Sequence, residues 1–477
     1  MLPTPRFGRF LALPWRRCIH TEVNAPATIY ALSTSPGKAG VAVVRVSGSY
    51  ARRALDRMVA KPVSAPRTTY FRRIRHPVSK EALDRGLVVW FPGPHSFTGE
   101  DSVEFHVHGG NAVVNSVLDA LGTLPDFRMA EQGEFARRAF DNDKLDLTEL
   151  EGLADLLNAE TEAQRKLALR QAEGGLRKPY EEWRDKIIQC MALAEAVIDF
   201  GEDEGIEDGV LEDVTNHVID LRDAIRRHLD DSRVGEIVRN GVRVAIMGPP
   251  NAGKSTLLNM LAKREAAIVS DIPGTTRDIV EVTMDLGGYP VLVSDTAGLR
   301  ESSDVIEMEG VKRARERGDV ADIKICLVPI RLYDALESIV REEIDSETYV
   351  LLTKHDESPS PVDLEGIRTA LGARQVWAIS CKTGQGVASF LGDFVAILKD
   401  QFDASLGGSA LITQARHRQH LQTCLESLGC FLETPHEDVV LAVEELRQAA
   451  NALGKITGRV DVEDVLDVLF GQFCIGK

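Results

Sequence analysis

Apolar residues near the start of the chain fall in short, interrupted runs. Between residues 27 and 146, β-branched stretches are broken by Gly and Pro, as is typical of strands and turns. Residues 111–124 instead place apolar side chains along one face of a helix. The mixture predicts an α+β domain over 27–146, with strands at 27–32, 41–46, 86–91 and 103–107.

At Leu147 the spacing of apolar residues changes to that of amphipathic helices. Apolar residues three and four apart continue to residue 239, with charged residues between them, and the same spacing returns over 401–477. The acidic, glycine-punctuated segment 201–209 is typical of a solvated connection between helices. We therefore expect an all-helical domain composed of two separate parts of the chain.

Residues 240–400 separate those two parts, and there apolar strands alternate with helices. This alternation is typical of a doubly wound, mostly parallel sheet. The pattern predicts a multidomain α/β protein in which the α/β domain is inserted into the helical one. The predicted strands are 242–247, 291–294, 325–328, 350–352 and 376–379.

The first 26 residues differ in composition from the rest. They contain four arginines among large apolar side chains, and Glu22 is the first acidic residue. Such a composition favours a mitochondrial transit peptide, although its prolines would interrupt an amphipathic helix. The alternative is the basic terminus of a cytosolic protein.

Charge and cysteine content exclude several classes of protein. The 477 residues include 56 Lys and Arg against 73 Asp and Glu, for a net charge of −17. A general basic surface for nucleic acid is therefore excluded, and any RNA contact must be local or depend on a partner. Seven scattered cysteines favour a reducing compartment, and no apolar run is long enough to span a membrane.

The strongest chemical signal is the segment GPPNAGKS at 248–255. It follows a predicted strand, opens a predicted helix and fits the phosphate-loop pattern, in which backbone N–H groups surround phosphate oxygens. Lys254 is expected on the β- and γ-phosphates, and the Ser255 hydroxyl on Mg²⁺. The expected nucleotide contacts here are Asn251, Ala252, Gly253, Lys254, Ser255 and Thr256.

Three further motifs follow in the order that Ras-like G domains use. Asp295 and Gly298 end a strand, where they can contact the Mg²⁺ shell and the γ-phosphate, and Thr276 can complete the Mg²⁺ sphere. Asp356 can accept from guanine N1–H and its exocyclic amine, a donor pair that adenine lacks. The remaining expected base contacts are Thr353, Lys354, Ser380, Cys381 and Lys382.

Two positions depart from the usual GTPase pattern. Thr353 stands where Asn is usual, so we expect retained guanine specificity with weaker affinity. Leu299 stands where Ras-like enzymes carry the Gln that orients the attacking water, so another group must supply that role.

The chain from about 27 to 477 resembles the family of tRNA-modification GTPases called MnmE or TrmE, in its mitochondrial form. The segments that carry the resemblance are PGKAGVAVVRVSG at 36–48, FPGPHSFTGEDSVEFHVHGG at 91–110, GEFARRAFDNDKLDL at 133–147, GPPNAGKSTLLN at 248–259, SDIPGTTRD at 270–278, DTAGLRESSDVIE at 295–307 and FCIGK at 473–477.

The resemblance implies a K⁺-activated hydrolysis in which K⁺ replaces the charge of an arginine finger. It implies that Asn251 and the 270–275 loop hold K⁺, with Ser270, Ile272 and Thr275 as ligands. The family's catalytic glutamate falls on Glu307, which would polarise the water through a bridging water. The alternative for Glu307 is a solvated charge at a helix start.

The resemblance also implies a dimeric N-terminal domain that binds a 5-formyl- or 5,10-methylene-tetrahydrofolate. The family's folate contacts fall on Arg45, Glu104, Lys144 and Lys477, each of which could instead form a surface ion pair. Cys474, in the terminal CIGK, is expected near the chemistry, with its role open, and a terminal Lys disfavours prenylation. Metal binding by His106 and His108 is disfavoured because no Cys and no second His pair lie nearby.

Taken together, these implications predict a mitochondrial GTPase that works as a homodimer with an FAD-dependent MnmG-type partner. The pair would modify C5 of the wobble uridine, position 34, of mitochondrial tRNAs with glycine or taurine as the amine. A ribosome-assembly GTPase is the nearest alternative, but it predicts an appended RNA-binding module that the sequence lacks. A folate- and GTP-binding scaffold without turnover is a second alternative, and membrane remodelling is disfavoured.

Overall fold

The structure is a computed structural model that divides into two compact units, each described here by itself. The first contains Met1–Lys144 with Phe470–Lys477, and the second contains Leu145–Leu469. The described residues are 27–200, 209–231, 233–249, 251–264, 281–295, 321–335, 341, 344–358, 362–406, 411–435, 438–460, 463–471, 473 and 476. The multidomain α/β layout is confirmed, and the boundaries at 147, 240 and 401 stay predictions.

The first unit is built on a six-stranded sheet in the order β3-β4-β5-β2-β1-β6. Its strands pair antiparallel except for β1 and β6, which are parallel. The strands are β1 Thr28–Leu32, β2 Ala39–Ser47, β3 Tyr70–Arg75, β4 Ala82–Phe91, β5 Ser102–Gly109 and β6 Phe127–Met129. The helices are α1 Ala51–Met58, α2 Asn111–Gly122 and α3 Glu134–Asp141.

Residue alternation along these strands separates a buried face of the sheet from an open one. Val44, Val88 and Phe105 lie in one apolar cluster with residues of α1 and α2. On the other face, Leu87 of β4 and Phe71 of β3 are exposed. Both helices therefore cover the same face, and the polar residues of β2 and β5 gather on the other.

Helices form much of the second unit. A capping box at Asp146 and Glu149 begins α4, and a second at Thr161 and Gln164 begins α5, because each side chain satisfies an N–H of the first turn. The helices before the sheet are α4 Leu147–Asn158, α5 Glu162–Ala172, α6 Arg177–Phe200, α7 Gly209–Leu229 and α8 Val234–Asn240. None of the helices that the structure describes is long and apolar enough to cross a membrane.

A second six-stranded sheet follows α8, in the order β12-β11-β10-β7-β9-β8. It is parallel except for the β8–β9 edge pair. Its strands are β7 Val242–Met247, β8 Glu281–Leu286, β9 Tyr289–Asp295, β10 Ile323–Pro329, β11 Tyr349–Thr353 and β12 Gln375–Ala378. The remaining helices are α9 Lys254–Arg264, α10 Leu364–Leu371, α11 Val387–Leu406, α12 Ala415–Glu433, α13 Val439–Thr457 and α14 Glu463–Phe470.

Helices α5 and α8 join the helical part of this unit to the sheet. Ala163 and Val238 belong to the same buried cluster as Val244 of β7. The backbone N–H of Ala163 also donates to the carbonyl of Gly288, at the turn between β8 and β9, over 2.9 Å. The sheet is thus positioned on its helical neighbours by shared apolar burial.

Candidate functional site

The phosphate loop connects the end of β7 to the start of α9. Gly248 and Gly253 have φ of +132° and +95°, and Asn251 has φ of +59°. A Cβ on Gly248 would lie 2.2 Å from the carbonyl oxygen of Leu327, so only glycine allows this approach to β10. Ser255 and Thr256 begin α9 with exposed side chains, where helix N–H groups can meet phosphate.

Lys254 is folded back onto its own loop. Its Nζ donates to the carbonyl oxygens of Gly248, over 2.6 Å, and Pro249, over 3.0 Å, and the residue is buried. These carbonyls hold the ammonium at the mouth of the loop. The arrangement keeps a cation beside the N–H groups that would surround a phosphate.

Thr353 ends β11 and contacts the phosphate loop directly. Its hydroxyl donates to the carbonyl oxygen of Ala252 over 2.7 Å, and both residues are buried. The Thr that replaces the usual Asn therefore links the base-recognition strand to the phosphate loop. The sequence does not predict this contact, because two residues 101 positions apart share no local pattern.

The predicted base-recognition residues meet at the carboxyl ends of β11 and β12. Asp356 lies in a 3-10 turn, and its Oδ1 accepts from the Ser380 hydroxyl over 2.7 Å. That hydrogen bond lowers the pKa of Asp356, so the exposed carboxylate is ready to accept from a donor pair. Lys354, Cys381 and Lys382 occupy the adjoining turns, and burial raises the pKa of the Cys381 thiol.

The magnesium, potassium and catalytic assignments fall largely outside the described residues. Asp295 ends β9 in register with Ile246 of β7, which places its backbone at the same sheet edge as the phosphate loop. The predicted residues that lie outside the described part of the chain are Ser270, Ile272, Thr275, Thr276, Gly298, Glu307, Cys474 and Lys477.

A second polar cluster lies on the open face of the first unit's sheet. Arg45 of β2 and Glu104 of β5 are cross-strand partners, and Arg45 Nε and Nη2 donate to Glu104 Oε1 over 3.2 and 3.1 Å. His106 Nε2 lies 3.2 Å from the second oxygen of Glu104. The His106 contact lowers the pKa of Glu104 most, burial opposes it, and Arg45 lowers it further.

Aromatic rings surround the Arg45 guanidinium, which lies 5.2 Å from the ring centre of Phe97 and 5.9 Å from that of Phe135. Its side chain is only 20% exposed, so the bond to Glu104 is not an ordinary surface ion pair. Lys144 follows α3, and its backbone N–H donates to the Ala139 carbonyl over 2.8 Å. Among the described residues, the structure shows no hydrogen bond between Lys144 and Glu104.

His106 and His108 contact different carboxylates. His106 contacts Glu104, whereas His108 Nδ1 lies 2.8 Å from Asp84 Oδ1. The sequence suggested His106 only as a possible metal ligand and did not reveal its contact with Glu104. The alternation of β5, which puts residues 104 and 106 on one face, was the available signal.

The chain end packs into the first unit. Phe473 is buried, and the carbonyl oxygen of Gly476 accepts from the Ser33 hydroxyl over 2.9 Å. Gly476 has φ of +107°, and a Cβ there would lie 2.2 Å from the Leu32 carbonyl oxygen. The glycine of the terminal motif is thus required by close backbone contact at the end of β1.

The doubly wound sheet, its phosphate loop and the Asp356–Ser380 pair define a GTPase of the phosphate-loop class. Two family models match: "MnmE helical domain" over residues 147–474 and "GTP-binding protein TrmE N-terminus" over 28–144. The chain belongs to the MnmE/TrmE family.

Relatives at high identity extend over most of the chain. It is 50% identical to the 5-taurinomethyluridine-[tRNA] synthase subunit GTPB3, mitochondrial, of Danio rerio, covering 94% of this chain and 93% of that protein. It is 44% identical to the human protein of the same name, over 97% of each. It is also 50% identical to the tRNA modification GTPase MnmE of Parvibaculum lavamentivorans, over 94% of this chain and 100% of that protein. The protein is a mitochondrial GTPase of this family.

Proposed function

We propose that this GTPase modifies C5 of the wobble uridine of mitochondrial tRNAs, using a one-carbon unit from a tetrahydrofolate. The product would be of the taurinomethyl or carboxymethylaminomethyl type. The relatives' names give tRNA as their substrate, and two call their protein a synthase subunit, which supports a partner protein. An FAD-dependent MnmG-type subunit would be that partner, and this chain would act as a homodimer.

The observation that carries the proposal is the Arg45–Glu104–His106 cluster on an open sheet face, in a chain that also holds a guanine nucleotide site. Glu104, kept ionised by its neighbours, can accept from the N–H pair of a pterin. Arg45 can donate to a carboxylate or formyl oxygen. Lys144 and Lys477 would supply further cations, and Cys474 would lie near the reacting carbon.

In the nucleotide site, Lys254 would leave the loop carbonyls for the β- and γ-phosphates. Ser255 and Thr276 would hold Mg²⁺, with Asp295 in its shell, and Gly298 would contact the γ-phosphate. Asn251, Ser270, Ile272 and Thr275 would hold K⁺, which would neutralise charge that develops between the phosphates. Glu307 would orient the attacking water, since Leu299 cannot.

The first test concerns the GTPase cycle. Glu307→Ala is expected to keep GTP affinity and lose hydrolysis, whereas Asn251→Ala is expected to lose K⁺ stimulation and keep the basal rate in Na⁺. Turnover by the purified chain should be measured in K⁺ and in Na⁺. Full turnover by Glu307→Ala would refute its assignment, and no turnover of the unaltered chain in either salt would favour the scaffold alternative.

The second test concerns the RNA. Mass spectrometry of wobble nucleosides from mitochondrial tRNA should show an unmodified C5 in cells that lack this chain. Normal modified uridine together with defective ribosomal subunits would instead favour the ribosome-assembly alternative.

A further inference from the structure

The edge of the first unit's sheet carries an exposed apolar pair. Phe71 of β3 and Leu87 of β4 are cross-strand partners on the open face, and their exposed fractions are 59% and 41%. Helices α1 and α2 pack on the opposite face. Helix α3 contacts the open face at β1, where Phe135 packs against Ile29 and Ala31. An aromatic ring held in the open by a rigid strand is a stacking surface.

The next cross-strand pair on this face consists of two arginines. Arg73 of β3 lies directly opposite Arg85 of β4, and both are exposed. Like charges in this position repel, and no described carboxylate forms an ion pair with either residue. The neighbouring acid Asp84 is engaged with His108. This local repulsion would be relieved by a bound anion.

The local charge contrasts with that of the whole protein. Strands β3 and β4 with their connection, residues 70–91, contain five lysines and arginines against two acidic residues, although the chain carries a net charge of −17. The Arg85 guanidinium lies 5.6 Å from the ring centre of Phe71, so cation and ring form one surface. Exposed aromatic rings on a sheet, flanked by arginines, are the combination that stacks unpaired bases and binds their phosphates.

This basic platform, defined as Phe71, Arg73, Arg85 and Leu87, adjoins the proposed one-carbon site. Leu87 is the cross-strand partner of His106, which contacts Glu104. Neighbouring strands lie about 4.8 Å apart, so β3 is on the order of 10 Å from β5. A nucleic acid strand bound on the platform would therefore lie within a few nucleotides of the Arg45–Glu104 cluster.

A second copy of this chain is the competing occupant, and charge argues against it. Docking two such faces would bring arginine pairs together without acids to neutralise them. We propose that the basic platform binds unpaired nucleotides of the RNA substrate, with a base stacked on Phe71 and phosphates on Arg73 and Arg85. The inference rests on the proposed function in taking RNA as the substrate.

The test measures binding of the full chain to a fluorescent anticodon stem–loop transcript over about 50–200 mM KCl. Phe71→Ala should weaken binding roughly 5- to 100-fold, the range for one stacked base. Arg73→Gln with Arg85→Gln should lower the slope of log affinity against log salt by about 1.4, or about 0.7 for each phosphate contact of a single strand.

Arg57→Gln is the matched control, because Arg57 is an exposed arginine of the same unit on α1, which packs on the opposite sheet face. It should leave affinity unchanged. Affinities of the platform variants within twofold of the unaltered chain, or no binding by the unaltered chain at low salt, would overturn the inference. The inference would also be overturned if the platform variants dissociated a dimer in sedimentation while their affinity for RNA stayed unchanged. GTP turnover and wobble nucleosides, measured separately, report on the proposed function.

Discussion

Arg418 joins the chain segments on either side of the inserted sheet. It lies in the first turn of α12, after the sheet, and its guanidinium reaches the segment that leads into the sheet. Nε donates to Glu236 Oε1 and Nη2 to Asp231 Oδ1, each over 2.6 Å, while Nη1 donates to the Leu229 carbonyl over 2.8 Å. Both carboxylates are buried, with side chains 4% and 8% exposed.

Arg418→Met should destabilise the second unit because it keeps the aliphatic stem and removes the charge. Loss of one partner of a buried ion pair costs about 3–5 kcal/mol. Since Glu236 retains Arg233 at 2.7 Å, we expect about 3 kcal/mol. The unit spans Leu145–Leu469, about 325 residues, so its unfolding entropy is near 0.7 kcal/mol/K and the expected fall in Tm is about 4 °C.

Differential scanning calorimetry at two pH values checks this reasoning. Burial raises the pKa of Glu236, but the hydrogen bonds from Arg418 and Arg233 outweigh it and hold the pKa below its ordinary value. A carboxyl whose pKa is lower in the folded state than in the unfolded state stabilises the fold at pH values above its unfolded pKa, about 4.3. That stabilisation is lost as the pH falls through the folded-state pKa. The difference in Tm between the unaltered chain and Arg418→Met should therefore be largest at pH 7 and should shrink below about pH 4.

Arg447→Met is the matched control, because Arg447 pairs with Glu444 and Glu195 in side chains at least 44% exposed. Exposed pairs contribute about 0–1 kcal/mol, so its Tm should move by little more than 1 °C. A loss in Arg418→Met no larger than in this control would show that the Arg418 contacts do not stabilise the unit.

Two further predictions concern the sites. Asp356→Asn should shift nucleotide preference from GTP to XTP, because the Asn amide presents a donor to the donor groups of guanine. Unchanged GTP selectivity in a competition assay would contradict the assignment of Asp356 to the base. Gly476→Val should introduce about 1–3 kcal/mol of strain at its φ of +107° and a clash with the Leu32 carbonyl, releasing the tail. We expect weaker 5-formyltetrahydrofolate binding with unchanged GTP affinity by calorimetry, while Gly429→Ala, with open space around its Cβ, should change neither. Equal folate affinity in the two glycine variants would separate the tail from that site.

Elements with a strong local pattern were predictable. Strands β7, β10, β11 and β12 of the second sheet are rich in apolar residues, and they are confirmed where the sequence placed them. The edge strands β3, β6 and β8 were missed. The segment YFRRIR of β3 carries three arginines, and a strand that pairs on one side with an open face needs few apolar residues.

Contacts between distant segments were not predictable from local pattern. The motif order identified the nucleotide as guanine, but it gave no sign that Thr353 donates to Ala252. The resemblance placed Arg45 and Glu104 in one site. The structure shows that they are cross-strand partners joined by a hydrogen bond, and that His106 contacts Glu104 as well. A register between strands about 60 residues apart is set by core packing on the other face of the sheet.

The sequence by itself determined the class of this protein. Phosphate loops and turns depend on glycines and caps at fixed spacing, so their chemistry is visible in a single stretch of residues. Only the tertiary structure decided which side chains meet. It placed Arg73 opposite Arg85, buried Arg418 between two carboxylates and packed Gly476 against β1, because burial and strand pairing fix distances that sequence separation does not.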